Sequence, residues 1–302
     1  MKILITGIKG FIGNHVMDLF KEKTYDVVGW DIFDGDVIYP ICDVDMLDRK
    51  AVETQLNIEK PDLIIHCAGA ADVGKSIENP YNDYMVNVTV THNLLFSLYQ
   101  VGLLNTRVIF ISSAAVYGNP KTLPIIEESE LNPLSPYALH KIMCENICMY
   151  MRQNFNLDIK ILRVFSAYGK GLEKQIFWDM YQKYTRMNKL PMYGTGFETR
   201  DYINIEDLAQ AIFLVAMKAP RSEMVYNIAN GEEVTIRQAV EFFAEAVGAN
   251  NDVITFNGER MVGHPTNWKA DITKLKLLGY EKNVDLHDGI HRYIKEMEMN
   301  EV

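Results

Sequence analysis

Apolar residues dominate five short stretches in the first half of the chain: KILIT (2–6), DVVGWD (26–31), DLIIHCAG (62–69), RVIFIS (107–112) and KILRV (160–164). Strands that are apolar on both faces belong to a parallel sheet covered on both sides. Between them the spacing is helical: up to about Lys23, near 46–57, from Asn79-Pro80 to about Gln100, and from Ser135-Pro136 to about Asn154. Asn79 and Ser135 are good N-caps, and the prolines after them suit a first helical position. This alternation predicts an α/β fold, a doubly wound parallel sheet over residues 1–165, to which a strand and helix near 199–219 return.

Beyond residue 165 the rhythm loosens. Stretches such as LPMYGTGFETRDYIN (190–204) mix glycine, aromatic and charged residues, while helical spacing persists at 206–219, 236–247 and 286–297. Residues 166–302 are expected to form a smaller mixed α/β substrate-binding lobe over the carboxyl ends of the strands, where such sheets place their ligands. In 302 residues, 48% hydrophobic, no apolar run reaches the ~18 residues of a membrane span. MKILITG enters directly into a strand pattern, so a cytoplasmic protein is expected. A net charge of −10 without a dense basic block excludes nucleic acid and anionic membranes as expected partners. Cys42, Cys67, Cys144 and Cys148 fit neither a disulfide framework nor a paired metal motif, so reduced thiols and no metal are expected.

TGIKGFIG places Gly7, Gly10 and Gly13 between the first strand and the first helix. Glycines there permit a tight turn and close approach of backbone to a pyrophosphate at the helix N-terminus. The GxxGxxG spacing is looser than GxGxxG, and a plain tight turn is the alternative. Asp31 ends the second strand, where a carboxylate accepts hydrogen bonds from an adenosine ribose and repels a 2′-phosphate; NAD is favoured over NADP. The alternative is that Asp31 caps a loop. Farther along, Ser112 and Ser113 precede Tyr137 and Lys141, which are four apart and share a helix face.

In this order the segments TGIKGFIG, HCAGAADVGKSIENP, NVTVTHNLL, ISSAAVYG, YALHK, LRVFSAYG, RDYINIEDLAQAI and YNIANGEEVTI resemble the extended short-chain dehydrogenase/reductase family, in its nucleotide-sugar epimerase/dehydratase branch. The resemblance covers nearly the whole chain. It implies Tyr137 as the base that takes a sugar hydroxyl proton, Lys141 as the cation that favours the phenolate, and Ser113 as a hydrogen-bond partner of the reacting oxygen. Ser112 is expected to be structural or in contact with the cofactor. The cofactor positions carried over are Gly7, Gly10, Phe11, Ile12, Gly13, Asp31, Asp43, Val44, Ala68, Gly69, Ala70 and Asn87, with Tyr137 and Lys141. Substrate candidates are Ser113, Ser166, Tyr193, Arg200 and Arg260, because guanidinium forks suit a diphosphate. As alternatives, Arg200 pairs with Asp201 or Asp207, and Arg260 is a solvated loop charge. The family also implies a homodimer through the helices near 80–100 and 136–154.

The chain departs from the family in places. Dehydratases carry an Asp-Glu pair after the catalytic Ser/Thr, and here Ala114 and Ala115 stand instead, which argues against elimination of water. Ser166 occupies a position where many epimerases have Asn. Lys174 and Gln175 compensate for this or merely begin a solvated helix. The 31–43 stretch is short, and His264 stands where an Asp often follows the Arg-containing loop. The expectation is an NAD-dependent nucleotide-sugar 4-epimerase, with an NAD(P)H-dependent nucleotide 4-keto-sugar reductase as the alternative and a non-catalytic nucleotide-binding protein behind both.

Overall fold

A computed structural model of the chain describes residues 1–32, 41–259, 263 and 265–300. The five apolar stretches form strands: β1 (Lys2–Thr6), β2 (Asp26–Asp31), β4 (Leu63–His66), β5 (Arg107–Ser113) and β6 (Asp158–Val164). A three-residue β3 (Ile41–Asp43) and the strand Val225–Ile228 complete a seven-stranded sheet. Its order is Val225–Ile228, β6, β5, β4, β1, β2, β3, and every pairing is parallel. The chain runs outward from β1 to β3, then restarts on β1's other side at β4. That reversal opens a crevice between the loops after β1 and β4.

Strand side chains alternate between two cores. Ile3, Ile5, Leu63, Ile65 and Ile109 face Val16 and Phe20 of the helix Phe11–Glu22, together with Leu208, Ile212 and Val215 of the helix Ile205–Lys218. Leu4, Ile64, Val108, Phe110 and Ile159 face Val52 and Leu56 of the helix Arg49–Glu59, Leu94 and Leu98 of Val90–Gln100, and Cys144, Cys148 and Met151 of Pro136–Phe155. Each fully buried Leu or Ile contributes about 1.5–3 kcal/mol. Cys144 and Cys148 are buried free thiols, and Cys42 and Cys67 are free and half-buried.

A third core gathers Tyr168, Phe177, Met180, Leu190, Tyr202, Val240, Phe243, Ile290 and Tyr293, all from beyond residue 165. The strand expected to rejoin the large sheet near 199–219 does not do so. Tyr202–Asn204 pairs with Ser166–Tyr168 in a separate two-stranded sheet, and Val225–Ile228 takes the place beside β6. The helix of that stretch does return. Asn204 ends the small strand by capping Ile205–Lys218, its Oδ1 accepting from Glu206 N at 2.9 Å. No described helix is long and apolar enough to cross a membrane.

Candidate active site

The two loops at the reversal touch. Gly7, at φ +66°, would with a Cβ approach Ala68 N to 2.6 Å, and a Cβ on Gly13 would meet Gly7 O at 2.3 Å. Only glycine permits that packing. The helices beginning after Asp48, Ser135, Asn204 and Thr235 are all capped by those side chains. Phe11–Glu22 starts after Gly10 with no side-chain cap on its first N–H groups, at Phe11, Ile12 and Gly13, the kind of helix end that suits an anion. Asp31 leans onto this loop, its Oδ2 accepting from Lys9 N at 2.8 Å and its Oδ1 from Ile32 N at 2.9 Å. It does cap backbone, and the lone pairs that remain can accept from a ribose. Asp43 lies beside Asp31 in the β2–β3 register, and buried Val44 donates its N–H to Asp31 O at 3.1 Å.

After β4, Ala68, Gly69 and Ala70 form the opposite wall. A Cβ on Gly69 would come within 2.6 Å of Asn87 Oδ1. Asn87 sits in a π-helical turn, Met85–Thr89, that interrupts the expected long helix. Its Nδ2 donates to Asp83 O at 3.1 Å, while its buried Oδ1 has no partner. An orphaned buried acceptor, an uncapped helix and a glycine-lined crevice together fit a dinucleotide. Behind the crevice, buried His66 is held between the Thr6 and Thr91 hydroxyls at 2.7 and 3.2 Å. Burial, helped by the Lys141 charge, lowers its imidazole to about 3, so it is neutral. Burial likewise pushes the Cys67 thiol up to about 12, against the pull of Lys141, which removes it as a nucleophile.

Tyr137 and Lys141 lie in the first turns of Pro136–Phe155, whose N-cap Ser135 accepts from Ala138 N at 3.2 Å. Both are buried. The Lys141 Nζ is 5.8 Å from the Tyr137 ring centre and donates to Ile111 O, two residues before Ser113, at 3.1 Å. Ser113 Oγ accepts from Ala115 N at 3.2 Å, which leaves its hydroxyl proton to donate. Ser112 points elsewhere: its Oγ donates to Glu145 Oε1 at 2.6 Å. Glu145 in turn holds Arg163 of β6 through both oxygens, at 3.0 and 2.7 Å. Arg163 also donates to Tyr117 Oη at 2.9 Å. His140 Nδ1 meets Asp83 Oδ2 at 2.6 Å, tying the Tyr137 helix to the segment that carries Asn87.

These supports escaped sequence reasoning. Glu145 repeats the four-residue step from Tyr137 and Lys141, a signal that was present; the partner Arg163 is on a different element, with no signal of its own.

The substrate candidates are more scattered. Arg200 pairs with neither Asp201 nor Asp207: those carboxylates accept from Asn230 N and Ala270 N, and from Asn283 N and Val284 N. Its Nη1 donates to the carbonyls of Thr199 and Thr266, and the guanidinium lies 5.6 Å from the Trp268 ring. Desolvation draws its pKa below the usual range, against the pull of Tyr202 and Glu198. Ser166 is half-buried at the start of its small strand, and Tyr193 is exposed, with Lys183 Nζ 6.0 Å from its ring. Arg260 and His264 lie outside the described residues. Lys174 does more than begin a solvated helix: its Nζ donates to Ala71 O at 3.1 Å, and burial depresses its pKa.

The profile of the NAD-dependent epimerase/dehydratase family matches residues 3–229, and the chain belongs to that family. NAD is the cofactor of the family. A provisionally named UDP-glucose 4-epimerase of Methanocaldococcus jannaschii is 31% identical over 99% of both chains. A UDP-glucose 4-epimerase from Thermotoga maritima, solved with UDP-glucose, superposes with a TM-score of 0.90 at 25% identity over 100% of both chains. The Streptomyces venezuelae dTDP-glucose 4,6-dehydratase DesIV, solved with NAD, reaches 0.89 at 26% identity over 99% of this chain and 98% of its own. The shared fold therefore accommodates both epimerases and a dehydratase.

Proposed function

We propose that the chain is an NAD-dependent nucleotide-sugar 4-epimerase, with a UDP-hexose as the first substrate to test. The observation that carries this reading is Tyr137 and Lys141 buried together beside the end of β5, with buried Ala114 and half-buried Ala115 directly after Ser113. Removing water across two carbons needs a second acid and base, and neither alanine supplies one. The crevice lined by Gly7, Gly10, Phe11, Ile12, Gly13, Ala68, Gly69, Ala70 and Asn87 holds the dinucleotide, with Asp31 on the adenosine ribose and Asp43 and Val44 toward the adenine. NAD, when bound, supplies a hydride acceptor that returns the hydride to the other face of the sugar.

The chain's own residues handle the proton. Tyr137 takes it from the C4 hydroxyl and gives it back after the keto sugar has turned. Lys141 makes the phenolate less costly, and Ser113 donates its hydroxyl proton to the reacting oxygen. Arg200 faces the diphosphate, with Ser166 and Tyr193 around the sugar nucleotide; Arg260, outside the described residues, is a further candidate for the diphosphate. Two copies pair through the helices near 80–100 and 136–154, where Tyr99 and Tyr150 are exposed.

The test is to purify the protein without added cofactor, then measure released nicotinamide dinucleotide and the interconversion of UDP-glucose and UDP-galactose. Retained NAD and conversion in both directions are expected. An empty protein that consumes NADH or NADPH with a 4-keto sugar contradicts the proposal and makes the chain a reductase.

A further inference from the structure

The last helix, Leu286–Asn300, carries His287 and His291 four residues apart, facing Glu245 near the end of the helix Ile236–Ala246. One donor atom from each of the three lies within 4.8 Å of the others. His287 Nε2 is 3.3 Å from Glu245 Oε2, and its Nδ1 is 3.5 Å from Asp288 Oδ1. The two imidazole rings are 4.6 Å apart between centres. An ion pair accounts for His287 and Glu245 and leaves His291 unexplained. The His291 ring makes no hydrogen bond among the described residues, and its Nε2 is hidden from solvent without a partner. A hidden nitrogen in that condition asks for an explanation, and beside His287 and Glu245 a bound ion is one.

We propose that Glu245, His287 and His291 bind a divalent transition ion of the zinc class, clamping together the two helices. Two imidazoles four apart on one helix turn with a carboxylate form a nitrogen-and-oxygen set that suits Zn2+ and disfavours Mg2+ or Ca2+, which take oxygen. Tetrahedral ligands at about 2.05 Å from zinc are roughly 3.3 Å apart. Exposed Glu245 and half-buried His287 have the freedom to close to that spacing by side-chain rotation. Asp288 on Nδ1 of His287 favours the tautomer whose Nε2 lone pair faces the ion, the usual carboxylate–histidine–metal arrangement. Water completes the coordination. The site lies away from Tyr137 and Lys141 in sequence and element, so the ion's role is to hold the third core.

The experiment titrates EDTA-treated, dialysed full-length protein with Zn2+ by calorimetry and with Co2+ by visible absorption, and follows the melting temperature with and without Zn2+. The expected result is one ion per chain with micromolar affinity, a tetrahedral Co2+ spectrum and a raised melting temperature. Binding should weaken at least tenfold in H287Q and in H291Q, and both variants should keep the wild-type circular dichroism and turnover. No saturable binding by the wild type, or binding and thermal shift unchanged in both variants, overturns the proposal. Equal stabilisation by Mg2+ overturns it as well.

Discussion

The two ends of the parallel sheet differ in what their buried polar groups leave open. At the amino-terminal edge, Lys160 donates to Pro220 O and Glu223 O at 2.7 Å each and forms an ion pair with Asp158 at 3.0 Å. Arg107 closes the cluster on Asp158 at 2.8 Å and on Ala216 O at 2.9 Å. At the carboxyl edge the Glu145–Arg163 and His140–Asp83 pairs close on themselves, but beside them Asn87 Oδ1 is orphaned, Phe11–Glu22 has no side-chain cap and Arg200 donates only to carbonyls among the described residues. A charge that satisfies itself holds the fold, and one left open at low dielectric is available to a ligand.

Variants at the two ends should therefore fail differently. The largest effect is expected for Tyr137→Phe, which should lower turnover by about 10²–10⁴-fold while leaving the melting temperature and retained dinucleotide unchanged. Asp158→Ala strands Lys160 and Arg107 and should cost about 3 kcal/mol in urea unfolding, with KM unaltered. Arg200→Ala should raise KM for the sugar nucleotide by about tenfold or more, since a hydrogen bond to a charged group contributes roughly 1.5–3 kcal/mol. A loss of turnover in Asp158→Ala without a loss of stability would erase the contrast between the two ends.

A further effect, spread over several pH units, is a pH dependence at His66. Its imidazole lies at about 3 in the fold against about 6.5 when unfolded. Between those values the unfolded chain binds the extra proton, so this group's contribution to stability is present above about pH 6.5 and is lost as pH falls toward 3. Urea unfolding should show an added slope of up to about 1.4 kcal/mol per pH unit, reduced by that amount in His66→Gln.

The strands of the large sheet were legible because burial on both faces makes their sequences apolar throughout, as in Ile3–Ile5 and Ile64–Ile65. Val225–Ile228 was harder to assign: it is short, with buried Asn227 in its middle bonded to Tyr117 Oη at 2.7 Å. The π turn at Asn87 leaves no mark, because MVNVT continues an ordinary helical spacing. In the site, Gly7, Gly13 and the Tyr137–Lys141 pair were legible through spacing. The Glu145–Arg163 and His140–Asp83 contacts were not, since each joins residues on separate elements that only the folded sheet brings together. The His287–His291 step was visible in sequence, but Glu245 lies more than forty residues earlier.

The most direct test of the central claim is conversion of UDP-glucose bearing deuterium at C4, with the label in the product located by NMR and mass spectrometry. Oxidation and return at one carbon predict UDP-galactose that keeps its deuterium at C4, with no net change in cofactor redox state. Product that has lost the label to solvent, or cofactor consumed in proportion to turnover, would contradict the account.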